Sequence, residues 1–418
     1  MQLTRRATLL GLGLTASLGH IDIALAAAPT QKRLIVVLQR GGMDGMSALV
    51  PYGDPNLVKL RPALIPPAPG QPGGMFDLGG FYGLSPNFPN LAAMYQGGEM
   101  LAFHAVAGPY RTRSHFEAQD LLQLGTVRTS ITSGWLNRAL AALPVRDGSS
   151  LLGLGAGIGT PLLLQGKMAV GSFAPDHLAT PPPDLAARIA ALNAGDPLLG
   201  PAITEGLAEE SFNASVMASA APAARRGNKQ GGNVMSDDRA RVPGDAPKIP
   251  GGFPALATQI GQLLAASGGP RIAVFQLEGW DTHGNQVKGL QQPMTGLDAG
   301  LQSLKTALGP AWAQTCVLVV TEFGRTARMN GTNGTDHGTA AAAFVLGGAV
   351  KGGRVVADWP GLSNAQLYQN RDLAPTLDAR AVAKGVLAQH LGLKGKALAR
   401  VFPGSGGIAP LGGIIRTA

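Results

Sequence analysis

Short runs of β-branched and aliphatic residues recur along this chain, and three of them break off into polar residues: KRLIVVLQRGGMD, RIAVFQLEGWDTH and TCVLVVTEFG. Runs apolar at nearly every position predict strands buried on both faces, as in a parallel sheet. A fourth run, AAAAFVLGGAV, follows the polar segment TDHGT. The stretch QPMTGLDAGLQSLKTALG has helical spacing, and PNLAAMYQGGEMLAFHAVAG reads as helix, glycine turn and strand. SHFEAQDLLQLG predicts a helix opened by Ser114, with Glu117 placed as in a capping box. Strands alternating with helices give an α/β fold, a mostly parallel sheet sandwiched by helices. Ligands in such folds bind beyond the carboxyl ends of the strands, where the polar residues of these runs fall.

Of the 418 residues, 45% are hydrophobic, enough to fill the core of a single large domain over residues 29–418. Charged residues make up only 14%, while 60 Gly and 31 Pro imply many turns and long ordered loops. Residues 218–252 lack periodicity and read as a flexible insertion. The glycine run GLGAGIG at 153–159 lacks the later acid of a dinucleotide site and reads as a turn. The net charge of +9 is scattered, without runs or aromatic interleaving, which argues against nucleic acid and fits an anionic substrate or a negative envelope surface. Cys316, the single cysteine, lies in an apolar run and reads as a small buried hydrophobe.

The N-terminus, MQLTRRATLLGLGLTASLGHIDIALAAAPT, has the charged start, apolar middle and small-residue end of a cleaved export signal, here residues 1–28. Arg5-Arg6 after Thr4 resembles a twin-arginine signal. That resemblance implies export of the folded chain by the twin-arginine machinery, often with a metal already loaded, to the periplasm or the exterior. The apolar stretch is interrupted by Gly, His20 and Asp22, so the mature form is not expected to be transmembrane.

Asp44 follows the first run, Asp281 and His283 the second, Glu322 the third, and Asp336 and His337 precede the fourth. Carboxylates mixed with imidazoles are the donor set of Zn²⁺, with Mn²⁺ also accommodated, whereas an all-oxygen site suits Mg²⁺ or Ca²⁺. In an extended segment the Asp and His of D-x-H point the same way and can face one ion. Each residue alone has a plainer reading, as a helix cap or the partner of an arginine. His104, inside LAFHAVAG, reads as structural.

The order of these segments resembles the alkaline phosphatase superfamily of sulfatases, phosphomonoesterases and phosphomutases. More narrowly, GGMDGMSALVPYGDP, RSHFEAQD, GWLNRAL, GWDTHGNQ, TEFGRTARMNGTNGTDHG and GGAVKGG resemble the exported family DUF1501. The resemblance implies an alkaline phosphatase-like fold in which Asp44, Asp281, His283 and His337 are metal ligands. Glu322 stands where the superfamily usually has an Asp followed by His; here Phe323 follows, which removes an imidazole from the second metal site and leaves Asp336 to compensate. Ser114 falls at the nucleophile's position, with His115 beside it in the catalytic set and Arg111 or Arg113 binding the anion. The alternative is that Ser114 only caps its helix while the arginines pair with Glu117 and Asp120. The implied function is a metal-dependent hydrolase of phosphate or sulfate esters, attacking through Ser114 or metal-bound water. The second reading is a non-catalytic protein that keeps the fold and binds an envelope partner or polymer.

Overall fold

The computed structural model describes residues 30–128, 130–144, 152–157, 159–174, 191–193, 195–196, 216 and 252–417. The expected export signal and, apart from Gly252, the expected insertion at 218–252 lie outside them. In chain order the strands are β1 (Arg33–Gln39), β2 (Leu49–Val50), β3 (Phe76–Asp77), β4 (Gly83–Leu84), β5 (Met100–Ala107) and β6 (Gly153–Ala156). There follow β7 (Gly171–Phe173), β8 (Ile272–Leu277), β9 (Thr315–Thr321), β10 (Ala341–Leu346), β11 (Arg354–Val356) and β12 (Leu377–Asp378). One main sheet has the order β11-β5-β10-β9-β1-β8-β6-β7, with β12 also pairing β5, and β2-β4-β3 form a small antiparallel sheet.

The main sheet is mostly parallel, as the apolar runs imply. Central β1 pairs in parallel with β8 and β9, Val36 opposite both Val274 and Leu318. The exception is β10, antiparallel to β9 and β5. No helix lies between β9 and β10, and without a crossover the chain returns in the opposite direction.

Successive residues of β1 enter opposite cores. Ile35 and Val37 pack with Phe275, Val319, Phe344 and the helices Pro89–Gln96, Gly252–Ala265 and Gln286–Leu308. Leu34, Val36 and Leu38 pack with Cys316, Leu318 and the helices Trp135–Leu140, Ala379–His390 and Lys396–Val401. All seven residues of β1 are buried, as a strand covered on both faces requires. Cys316 is a fully buried hydrophobe whose thiol burial pushes up.

The glycine run corrects the reading from sequence: Gly153–Ala156 is strand β6, not a turn. A Cβ at Gly153 would lie 2.9 Å from Leu140 and Val170, so glycine is needed there for close packing. No helix among the described residues is long and apolar enough to cross a membrane.

Candidate metal centre

Strand direction assembles the site. β9, β1 and β8 are parallel neighbours, so their carboxyl ends share one edge of the sheet. Antiparallel β10 begins at that edge, and β5, antiparallel to β10, ends there. The edge therefore gathers the turns carrying Asp44, Asp281, His283 and Glu322, the approach to β10 with Asp336 and His337, and the loop leading to the helix His115–Leu124. Gly41, at φ +122°, lets two of these turns touch: a Cβ there would meet the Asp281 nitrogen at 2.6 Å.

Three imidazoles and one carboxylate converge. His337 Nε2 lies 3.0 Å from His115 Nε2, 3.1 Å from His283 Nε2 and 3.3 Å from Asp281 Oδ1. His283 Nε2 is 3.0 Å from Asp281 Oδ1, and His115 Nε2 is 3.4 Å from Asp281 Oδ2. The ligand atoms of His115, Asp281 and His337 all lie within 4.8 Å of one another and could hold a metal ion.

The outer ring nitrogens identify what the inner ones offer. His115 Nδ1 is 2.8 Å from Glu322 Oε1, and His337 Nδ1 is 3.1 Å from the Arg113 carbonyl. A carboxylate and a carbonyl only accept, so both Nδ1 atoms carry the hydrogen, and in the neutral rings both Nε2 atoms present lone pairs. Two lone pairs 3.0 Å apart repel unless a proton or a metal cation lies between them. Bonds of about 2.0–2.1 Å in a tetrahedral site place donor atoms about 3.3–3.4 Å apart, close to the spacings found.

The surroundings support that arrangement. Glu322 is an orienting group: Oε1 also accepts from Gly41 N at 2.8 Å and Gln119 Nε2 at 3.0 Å. Burial raises its carboxyl, but the His115 and Gln119 hydrogen bonds prevail and hold it below the ordinary value. Asp336 approaches His283 Nδ1 at 3.4 Å and likewise stands behind the ring. Fully buried Arg325 pairs with Asp281 Oδ1 and donates to the Gly41, Gly42, Trp280 and Thr335 carbonyls. Burial raises the Asp281 carboxyl, yet the hydrogen bond and charge of Arg325 outweigh it and keep the group low. Burial holds His337 below the ordinary histidine value, which favours the neutral ligand form. Phe323 packs its ring 4.7 Å from His115 and 5.1 Å from His337, fixing both imidazoles from one side.

Asp44 lies apart from this cluster. It caps the short helix Gly45–Ala48, and its Oδ2 takes Arg61 Nη1 at 2.7 Å, Ser47 Oγ at 2.8 Å and Gln286 Nε2, with Arg61 and Asp44 each 1% exposed. The buried guanidinium already supplies a positive charge to this carboxylate.

Ser114 is the N-cap residue, but its hydroxyl makes no capping hydrogen bond, and Glu117 instead accepts from Tyr110 Oη. The expected capping box is absent because Glu117 has turned to the tyrosine. Arg113 binds Asp372 and Gln369, and Arg111 binds the Gly108 and Tyr110 carbonyls, so neither pairs with Glu117 or Asp120. Sequence reasoning grouped His115 with the catalytic residues, and the geometry sets it beside Asp281 and His337 in a group that could hold a metal ion. It missed Arg61, Gln119 and Asp372; Arg325, three residues after Glu322 in TEFGRT, had a visible cue in its place at a strand end.

The sequence profile of a family described as "Protein of unknown function (DUF1501)" matches residues 80–402. A solved structure of a protein in the alkaline phosphatase superfamily from Vibrio parahaemolyticus is similar over 85% of this chain and 72% of that one, with 11% identity and a TM-score of 0.31. No curated protein matches the chain.

Proposed function

This chain belongs to the DUF1501 family, and from that premise we propose that it is a metal-dependent hydrolase of phosphate or sulfate esters. The observation that carries this reading is the convergence of His115, His283 and His337 Nε2 atoms on the Asp281 carboxylate, with acceptors behind the Nδ1 atoms. Three nitrogens and one oxygen suit Zn²⁺ better than Mg²⁺ or Ca²⁺, with Mn²⁺ between them. A bound divalent ion would polarise an ester oxygen as a Lewis acid. Ser114, next in sequence to a metal donor and free of a capping bond, is the proposed nucleophile. Arg111, which uses only Nη1 and has no carboxylate partner among the described residues, is available to an anionic ester. We place the protein in the periplasm or outside the cell, delivered by the twin-arginine route.

Wild-type and Ser114→Ala proteins, both zinc-loaded, are compared on aryl phosphate and aryl sulfate esters. The reading expects turnover in the wild type and its loss in the variant with fold and metal retained. Absence of any turnover that Ser114→Ala diminishes would overturn it. In that case the non-catalytic reading stands, with an envelope polymer as ligand. It is favoured by the Asp44–Arg61 ion pair, which takes Asp44 away from any second ion.

A further inference from the structure

Beside the metal cluster a second polar unit is built around Asp372, and we propose that it holds Arg371 in place to bind the anionic group of the ligand. Asp372 is fully buried. Its Oδ2 accepts from Arg113 Nε at 2.8 Å and Thr339 Oγ1 at 2.8 Å and forms an ion pair with Arg113 Nη2 at 2.7 Å, and its Oδ1 accepts from Arg371 Nη1 at 2.9 Å. Arg371 Nη1 also donates to the His337 carbonyl at 2.8 Å, while the Arg113 carbonyl accepts from the His337 ring. Both arginines are therefore tied to the same metal donor as well as to Asp372. Arg113 reaches this position in a left-handed backbone conformation, φ +64°, uncommon for a residue with a side chain.

Donor use together with anchoring singles out Arg371: Arg111 also bonds through Nη1 alone, but only to the carbonyls of its own loop, Gly108 and Tyr110, whereas Arg371 is tied to buried Asp372 and to the His337 carbonyl. Arg325 is buried with all its nitrogens bonded, Arg61 is buried against Asp44, and Arg113 is committed to Asp372 and Gln369. Among the described residues Arg371 bonds through Nη1 alone, and its side chain is 40% exposed. Its Nε and Nη2 have no hydrogen-bond partner among the described residues, and the two Nη1 bonds orient the half-exposed guanidinium beside His337. A planar fork with free donors fits the oxygens of phosphate or sulfate. Arg371 is thus the anion-binding residue, and Asp372 is its positioning residue.

The inference deepens the hydrolase reading by naming a substrate-binding residue, but anion binding requires no turnover. Inorganic phosphate and sulfate are titrated calorimetrically into the full chain, metal-free and zinc-loaded. Arg371→Ala is expected to weaken binding about tenfold or more in both states, as loss of charged hydrogen bonds does, while Arg354→Ala leaves it unchanged. Asp372→Asn is expected to weaken binding too, although removal of a nearby negative charge would by itself tighten it. An Arg371→Ala affinity equal to wild type, tighter binding by Asp372→Asn, or no saturable binding of either anion by wild type would overturn the inference. Phosphate binding lost with Arg371 in a protein that cleaves no ester would retain this inference and refute only the hydrolase reading.

Discussion

His115 and His337 turn their Nε2 atoms toward each other at 3.0 Å while Glu322 and the Arg113 carbonyl hold the opposite ring nitrogens. With both rings neutral, the two Nε2 lone pairs face one another. His115, His337 and Asp281 are a set that could hold a metal ion, and such an ion would relieve the repulsion between them.

Glu322 would act on a bound cation through His115. Glu322→Gln removes the charge behind the ring with little change of shape, and loss of such an orienting partner typically weakens metal binding about 10- to 100-fold. Competition with a chelating dye measures the change. Wild-type affinity in the variant would show that His115 needs no carboxylate behind it.

Asp44 distinguishes an ion pair from a ligand. Removal of one member of a buried pair leaves an uncompensated charge and costs about 3–5 kcal/mol. Asp44→Ala should therefore lower the denaturation midpoint strongly while metal content per folded chain stays the same. Metal lost in proportion would make Asp44 a ligand after all.

Much of this was legible in the sequence. The apolar runs of β1, β8 and β9 declared buried parallel strands, and D-x-H after β8 and D-H before β10 marked residues that the fold gathers at one edge. What escaped was set by partners distant in sequence. His115 reaches the cluster only because β5 ends beside β10, and Asp44 turns to Arg61, 17 positions on, across the short elements Gly45–Ala48, Leu49–Val50 and Leu57–Leu60. The pairing of Arg113 and Arg371 through Asp372 spans 259 positions and leaves no local pattern to read.

Acid should destabilise the fold through two buried histidines. Burial pushes His104 and His390 down to about 4. His104 donates from Nε2 to the Leu49 carbonyl at 2.9 Å and accepts from Ala105 N at 2.8 Å, a neutral arrangement. Unfolded histidine titrates near about 6.5, so the native state binds fewer protons than the unfolded one below that pH. Stability is fully present above about 6.5 and falls as the pH drops toward 4, each histidine removing about 1.4 kcal/mol for every pH unit crossed. Thermal melts of metal-free protein across this window check it, and His390→Gln should flatten the fall. A melting temperature constant from pH 7 to 4 would contradict it.

The most direct measurement is the metal content of the full chain after equilibration with zinc and removal of free ion. The account predicts one tightly held ion per wild-type chain, loss of that ion in His115→Ala and in His337→Ala, and a rise in melting temperature with zinc that both variants lack. A wild-type chain that retains no ion, or variants that retain as much zinc as the wild type, would contradict it.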